Sequence, residues 1–411
     1  MKRTADAVSI AKRASLKLLC FGMLSAMALN MGGCTKLKTI FRKIKGRLQP
    51  AVDLPSDAER EIGSFPSNGE HVAVETALNS RCSSDDDGDP KLFHWGMFDN
   101  ATRLLSEQVE KIIACSSIAR FTDKKMRVDI PGNIVSFVVD NRVTGILRDW
   151  LMVESGMQQQ AVGLSCAALG CGNVPLNQGK DGTPRSEEDL VTISMRIDSM
   201  KPSFNGSYWS AEAPAYEAPW LKGNLPDPVR KGGIPLLTAL KNSAIQKDGV
   251  AATMQTIGQL LWAARGRTPH FYKSMPWGMT IPTWGGDQNI SSAYFIIDST
   301  VYKYVNWDKD RPTHSLKITG QIGEDLFYKI KQSFPSWNSF ILLNAQEIYA
   351  RSLWEIGYQL QNLLVQAYAL DIGYSAKILN EEEKKIFKAE AIQRPVALMA
   401  LKTPSFQLGN N

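Results

Sequence analysis

The spacing of apolar residues predicts both helices and strands along residues 93–405. Apolar positions that recur every three or four residues indicate helices, and short apolar runs between turn residues indicate strands. The predicted helices span residues 104–113, 156–169, 254–264, 324–332 and 356–370. The predicted strands span residues 134–139, 190–197, 293–298, 340–344 and 395–401. Because the two do not alternate strictly, we expect an α+β fold with helices packed on a mixed sheet.

One helical segment occurs twice in the chain. Residues 156–172, which begin Gly-Met-Gln-Gln-Gln, recur as residues 357–373, which begin Gly-Tyr-Gln-Leu-Gln, at an offset of 201 without a gap. The closing glycine of the second copy, Gly373, is expected where a helix end requires positive φ. Both copies can be ordinary core helices, but the repeat also predicts two related modules.

The first 34 residues have the layout of a signal peptide. A basic leader precedes an apolar run at residues 18–29, which is too short to span a bilayer comfortably. The small residues before Cys34 resemble a bacterial lipobox, which implies lipidation of that cysteine; a plain cleaved signal is the alternative. Lysines and arginines follow in residues 36–47, either against anionic lipid or as a solvated tether. We expect a lipid-anchored protein of the bacterial envelope that faces the periplasm.

The length of 411 residues and the changes in composition predict five segments. They are the signal peptide (1–34), a basic tether and polar linker (35–92), a first module (93–200), a proline- and glycine-rich linker (201–250) and a second module (251–405). The linker assignment at 201–250 rests on its prolines and glycines.

Composition and charge exclude several classes of protein. The net charge of +6 is spread through the chain, with much of the excess in the leader and tether. No basic stripe is interleaved with stacking aromatics, which argues against a nucleic-acid partner. The four histidines lack metal-ligand spacing, so we expect no metal site. Residues 85–89 are acidic but lack the ligand spacing of a calcium loop.

Four cysteines lie outside the leader and the lipobox: Cys82, Cys115, Cys166 and Cys171. An oxidising compartment permits disulfides, but the pairing cannot be derived from the sequence. Cys166 and Cys171 are five apart along the repeated helix and are therefore expected to face different sides.

Three motifs together with the repeated helix resemble the FMN-dependent nitroreductase family. Residues 116–124 (SSIARFTDK) resemble the opening motif whose arginines and serine bind the flavin phosphate in that family. Residues 281–289 (IPTWGGDQN) look like the turn beside the isoalloxazine ring. Residues 259–268 (QLLWAARGRT) are similar to the start of the branch that includes peptide-azoline dehydrogenases. The repeated helix resembles the long central helix of the family.

The resemblance implies non-covalent binding of FMN by the second module. The residues expected to bind it are Arg265, Arg267, Thr268, Pro282, Thr283, Gly285, Gly286, Gln288, Gly373 and Lys377. Guanidinium groups and a hydroxyl suit a phosphate. A glycine pair allows close approach to a flat ring, and Gln288 has the donors and acceptors that the ring edge needs. The catalytic residues are unknown. His270 and Tyr374 are candidates only because they border the expected site, and a structural role is favoured for both.

The first module departs from the family motif. Cys115 and Ser116 stand where arginines are usual, and Ala119 replaces another, so this module is expected to be degenerate. Since flavins in this family lie between two subunits, the resemblance implies an intrachain pseudo-dimer of the two modules, or a homodimer.

The expected activity is a two-electron reduction or dehydrogenation of a small-molecule or peptidic substrate. An alternative is a pseudoenzyme lipoprotein that keeps the fold for binding or envelope assembly, which the departures at Gly286 and Asp287 favour. A third interpretation is an unrelated α+β lipoprotein.

Overall fold

A computed structural model of the chain defines the fold. It describes residues 71–81, 102–103, 106–124, 126–130, 134–140, 142–169, 171–176, 189–199, 221, 223–268, 278–283, 290–309, 311–346, 350–387 and 392–404. These residues all belong to one compact unit, 55–411. The predicted signal peptide, Cys34, the basic tether, the acidic stretch at 85–89 and His270 lie outside the described residues.

The elements of the first half surround one long helix. They are α1 (Val74–Ser80), β1 (Thr102–Arg103), α2 (Ser106–Cys115), β2 (Arg127–Asp129), β3 (Ile134–Asp140), α3 (Gly145–Leu169), β4 (Cys171–Leu176) and β5 (Asp189–Ser199).

The second half is arranged around another long helix. Its elements are α4 (Leu236–Asn242), β6 (Gln246–Lys247), α5 (Met254–Arg265), β7 (Ser291–Ile297), β8 (Thr300–Asp308), β9 (Arg311–Gln321), α6 (Glu324–Ser333), β10 (Ser339–Ala345), α7 (Ala350–Ala369), β11 (Tyr374–Ile378), α8 (Glu381–Phe387) and β12 (Pro395–Leu401).

The described strands form two sheets, and their paired strands run antiparallel. The first has the order β1-β5-β3-β2, with β4 also paired to β5, and the second has the order β6-β11-β12-β10-β7-β8-β9. An isolated parallel bridge joins Val250 to Ile372. Helices and sheets in separate layers confirm the predicted α+β fold.

Part of the strand order is the same in both sheets. The first contains β4-β5-β3-β2 and the second β11-β12-β10-β7. The long helix α3 follows β3 and leads into β4, just as α7 follows β10 and leads into β11. Each half therefore places one long helix at an equivalent point of its sheet.

The long helices fill a common core. Apolar residues of both sheets, of α3, α5 and α7 form one buried cluster that includes Phe137, Met157, Leu260, Phe295 and Leu360. A second cluster lies on the other face of the larger sheet and is covered by α6 and α8. Among the described helices, none is long and apolar enough to cross a membrane.

The predicted elements from 134 onward are confirmed to within a few residues, apart from the starts of the two long helices. Helix α3 begins at Gly145 rather than Gly156, and α7 begins at Ala350 rather than residue 356. Helix α1 lies inside the predicted polar linker, where Val74, Ala77 and Leu78 are fully buried. Strands β8 and β9 were not predicted, because they bury only part of their residues and lack a continuous apolar run.

The expected positive φ after the second repeated helix falls on a different residue. Asp371 has φ 54°, whereas Gly373 has no positive φ. Gly373 is instead required for close approach, since a Cβ there would lie 3.0 Å from the backbone nitrogen of Gly249. The left-handed helix end is thus supplied by an aspartate, which tolerates this conformation better than most residues.

The expected placement of two cysteines on one helix is wrong. Helix α3 ends at Leu169, so Cys166 lies on the helix and Cys171 begins β4. Burial raises the pKa of Cys171 to about 12 and also raises the pKa of Cys166, to which the neighbouring Cys171 contributes.

Native alkylation is expected to separate the three described cysteines. The thiolate is the reactive form, so buried thiols with raised pKa values react slowly, while Cys115 is only half-buried. Iodoacetamide at pH 8 should label Cys115 at least about tenfold faster than Cys166 or Cys171. Peptide mass spectrometry over time measures this order, with urea-unfolded protein as the control. Equal native rates would contradict it.

Candidate functional site

The long helices α3 and α7 cross at the two leading glycines of the repeat. A Cβ on Gly357 would lie 2.7 Å from the Met157 nitrogen and 2.9 Å from the Gly156 Cα. A Cβ on Gly156 would lie 2.8 Å from the Trp354 Cα. Val153 and Trp354, whose backbones press on these glycines, are themselves 201 residues apart. The crossing is therefore symmetric in sequence and leaves no room for a side chain.

A glutamate lies two residues before each crossing glycine, Glu154 before Gly156 and Glu355 before Gly357. Glu154 accepts hydrogen bonds from the backbone N–H groups of Phe121 (2.6 Å) and Thr122 (2.9 Å) and pairs with Arg120 at 3.3 Å. Burial raises the pKa of Glu154, and these hydrogen bonds oppose that shift.

Glu355 holds the arginine that ends helix α5. Arg265 Nη1 lies 2.9 Å from a carboxylate oxygen of Glu355, and the Ser291 hydroxyl donates to the same oxygen at 2.6 Å. The amide of Gln359 donates to the Ser291 hydroxyl oxygen at 2.9 Å. Both charged side chains are almost fully buried, with exposed fractions of 6% and 0%. Arg265 is therefore neutralised inside the protein.

Helix α5 begins and ends with local features that fix this arginine. Its first turn has a capping box in which Thr253 and Thr256 each accept from the other's backbone N–H. After Arg265 the chain turns at Gly266, where an added Cβ would clash with the Trp262 ring. The Asn306 amide then donates to the Arg265 carbonyl at 2.7 Å, which satisfies one orphan carbonyl of the helix end.

Arg267 and Thr268 follow in a short ladder beside residues 278–280. The backbone of Arg267 forms an isolated antiparallel β-bridge with Met279. The Thr268 N–H donates to the Gly278 carbonyl at 3.0 Å. The Arg267 guanidinium lies 4.7 Å from the centre of the Trp307 ring. Burial, together with the charge of Arg265, lowers the pKa of Arg267 to about 10, so it keeps its charge at neutral pH. The Thr268 hydroxyl is fully buried and has no hydrogen-bond partner within the described residues.

A set of polar side chains converges on the Thr280 carbonyl. It accepts from Arg81 Nε at 2.9 Å, Gln160 at 3.0 Å and Asn362 at 3.2 Å. The sequence interpretation missed these three residues, although glutamine and asparagine at buried positions of an apolar helix are a usable signal. Thr280 precedes the expected flavin turn, so Arg81, directly after α1, and the helices α3 and α7 fix the start of that turn.

The structure brings together only part of the predicted site. Pro282 is half-buried and Thr283 exposed just after the Thr280 anchor. Gly285, Gly286 and Gln288 lie outside the described residues. Gly373 and Lys377 belong to the region of β11, which two strands separate from β7.

Lys377 lies on the face of the sheet away from α7. Its cross-strand neighbour Leu398 belongs to the cluster under α6 and α8, and Lys377 pairs with Glu383 of α8. Tyr374 is buried and its hydroxyl donates to the Ala244 carbonyl at 2.7 Å. Neither residue is placed beside Arg265. Within the described ranges, no group of three metal-ligating side chains was found.

His314 predicts a specific pH dependence of stability. It is fully buried, and burial, with the charge of Arg230, lowers its pKa from 6.5 to about 4. Between these values the unfolded chain binds a proton that the folded protein does not, so stability falls as the pH decreases from about 6.5 to about 4. The loss reaches about 3 kcal/mol.

Urea unfolding at several pH values between 7 and 4 measures this loss. The difference between the wild type and His314→Gln isolates the contribution of this residue, since other groups titrate in both proteins. A pH dependence unchanged by the substitution would contradict the prediction.

Comparison with known proteins gave only remote similarities. No family model and no curated protein matches the chain. A protein of Ralstonia eutropha assigned as a nitroreductase is 19% identical with a TM-score of 0.33, covering 44% of this chain and 90% of its own. One from Anabaena variabilis is 10% identical with a TM-score of 0.46, covering 66% and 69%. One from Thermotoga maritima is 11% identical with a TM-score of 0.34, covering 81% and 95%.

Proposed function

We propose that the protein is a nitroreductase-like oxidoreductase that binds FMN at the end of helix α5. The observation that carries this proposal is the buried Arg267 guanidinium against Trp307, directly before the buried hydroxyl of Thr268 that has no partner in the described chain. A buried polar group without a partner costs about 1–3 kcal/mol, so a ligand or water is expected to satisfy it. The motifs at 259–268 and 281–289 indicate a flavin as that ligand.

Not every residue expected to bind FMN fits. Arg267 and Thr268 offer a cation and a hydroxyl, and Pro282 and Thr283 lead into the turn. Arg265 is neutralised by Glu355, and Lys377 pairs with Glu383 on the other face of the sheet. We therefore assign the phosphate to Arg267 and Thr268 and leave Arg265, Gly373 and Lys377 out of the site.

Bound FMN would supply the two-electron chemistry. The chain would supply a cation that stays charged at neutral pH, a hydroxyl donor and a wall of packed helices that excludes water. The substrate would be a small molecule or a peptide.

A titration of the full-length, detergent-solubilised protein with FMN tests the proposal. We expect a visible flavin spectrum shifted from that of free FMN. Arg267→Met and Thr268→Val should each raise the Kd, by about 10- to 100-fold for the arginine, whose hydrogen bonds to an anion are charge-assisted. Lys377→Met is the matched control and should leave the Kd unchanged. A wild-type protein that binds no FMN would overturn the proposal.

A second candidate is a binding protein that keeps the fold without the chemistry. The specific observation in its favour is that the carboxylates of Glu355 and Glu383 occupy two cations expected at the cofactor. This alternative predicts that FMN, if bound, is not reduced by the nicotinamide donors NADH or NADPH. Rapid flavin bleaching by either donor would exclude it.

We also propose that the chain is a tandem pseudo-dimer, anchored through a lipid on Cys34 and facing the periplasm. The shared strand order β4-β5-β3-β2 and β11-β12-β10-β7 and the matched glycines support a tandem origin. The lipobox resemblance supports the anchor. Mass spectrometry of the N-terminal peptide and a Cys34→Ser variant that leaves the membrane fraction would test it.

A further inference from the structure

Strand β9 contains an irregularity beside the candidate site. Val305 is paired with Ser315 and Trp307 with Pro312, so β9 has an extra residue where Thr313 and His314 face Asn306. A bulge of this kind redirects side chains and occurs often next to functional sites. Here it turns His314 inward, where the imidazole is fully buried.

His314 and Tyr304 form a buried hydrogen-bonded pair. The Tyr304 hydroxyl lies 2.8 Å from His314 Nδ1, and the two rings meet edge to face at 5.5 Å and 80°. On the side of Nε2 the imidazole packs against Gly258 of α5, where a Cβ would lie 3.4 Å from Nε2. The position of the ring is therefore fixed from both sides.

The bulged strands contact the segment that carries the arginines. Asn306, opposite the bulge, donates to the Arg265 carbonyl at 2.7 Å, and Trp307 packs against the Arg267 guanidinium. Side chains from positions 306 and 307, next to the bulge, thus contact residues 265–267.

We infer that Tyr304 and His314 are positioning residues that fix the bulge and, through it, hold Trp307 against the Arg267 guanidinium for the ligand of this site. The inference rests on the proposed function, because it assigns FMN as that ligand. Their hydrogen bond joins β8 to β9 across the bulge, so it fixes the backbone that carries Asn306 and Trp307. Neither residue contacts the flavin in this scheme, so each acts through Arg267.

Four single variants test the inference by FMN titration. Tyr304→Phe and His314→Leu remove the hydrogen bond and should raise the Kd for FMN about tenfold. His314→Asn keeps both an amide oxygen and an N–H near the place of Nδ1, so it serves either tautomer and should stay within about twofold of the wild type. Ser315→Ala removes the 3.0 Å contact with Thr313 in the same bulge and is the matched control, with no change in Kd expected.

Rescue by asparagine separates positioning from a general effect on folding. The inference would be overturned if His314→Asn raised the Kd for FMN as much as His314→Leu does. It would also be overturned if Ser315→Ala raised the Kd as much as Tyr304→Phe does. An unchanged Kd in Tyr304→Phe with wild-type FMN binding intact would overturn it as well.

If the wild type does not bind FMN, the proposed function fails but the positioning claim is still decided. The urea midpoints of Tyr304→Phe, Arg267→Met and the double variant form a cycle. A double variant that loses clearly less than the sum of the single losses supports coupling between Tyr304 and Arg267 through the bulge. Additive losses overturn it.

Discussion

Gly357→Ala is expected to destabilise the protein by more than about 4 kcal/mol, which is exceptional for a single substitution. The added Cβ would meet backbone atoms of Val153, Met157 and Gly156, and backbone cannot move aside as a flexible side chain can. The helices α3 and α7 would have to separate, which opens a gap along the whole core. Since domains are stable by about 5–15 kcal/mol, much of the folded population would be lost.

Urea unfolding of Gly357→Ala and Gly156→Ala measures the effect. Gly233→Ala is the control, since a Cβ there meets nothing within 4 Å. Both crossing variants should lose stability, and the double variant should lose less than the sum because one separation of the helices relieves both clashes. A crossing variant as stable as Gly233→Ala would show that the helices do not meet at these glycines.

Arg265→Met should cost about 3–5 kcal/mol, because it leaves the Glu355 carboxylate buried without its cation. The Ser291 hydroxyl still donates to this oxygen, but a neutral hydroxyl does not replace the charge of the guanidinium. Arg120→Met removes the cation from the matched Glu154 and is the control. Arg120 has 38% of its side chain exposed, and Glu154 keeps two backbone donors, so the loss should be about 1 kcal/mol or less.

The pair and its neutral replacement can be compared by chemical denaturation at pH 7. The double variant Arg265→Met with Glu355→Leu removes both charges and should recover much of the stability lost by Arg265→Met alone. Equal losses in Arg265→Met and Arg120→Met would contradict the buried character of the Arg265–Glu355 pair.

Local patterns in the sequence predicted the long helices and the strands of the core well. The offset of 201 also identified the two glycines that meet at the helix crossing, although no local pattern predicted that they are in contact. Glu154 and Glu355 share this offset and stand next to the repeat, so an acidic residue inside an apolar helix was an available signal for both ion pairs.

The missing parts of the site depend on pairing between distant residues. Alternation along β11 places Lys377 on one face of the sheet. Only the strand order shows that this face is the one covered by α6 and α8. The bulge at Thr313 and His314 exists only relative to β8, so no local pattern predicts it. Arg81 reaches Thr280 across 199 residues from a segment whose composition resembled a linker.

The joining of α3 and α7 in one chain removes a constraint that a symmetric pair of identical subunits obeys. In such a pair, every substitution at the crossing appears in both subunits. A polar side chain that finds a partner on one side can then be buried without a partner on the other. Here Gln160 binds the Thr280 carbonyl and Asn362, while Gln361, at the matched position, has no partner for either amide atom in the described chain. Ala161 stands where symmetry would require a second asparagine. Each half can therefore mutate separately, and one can specialise while the other retains only its packing.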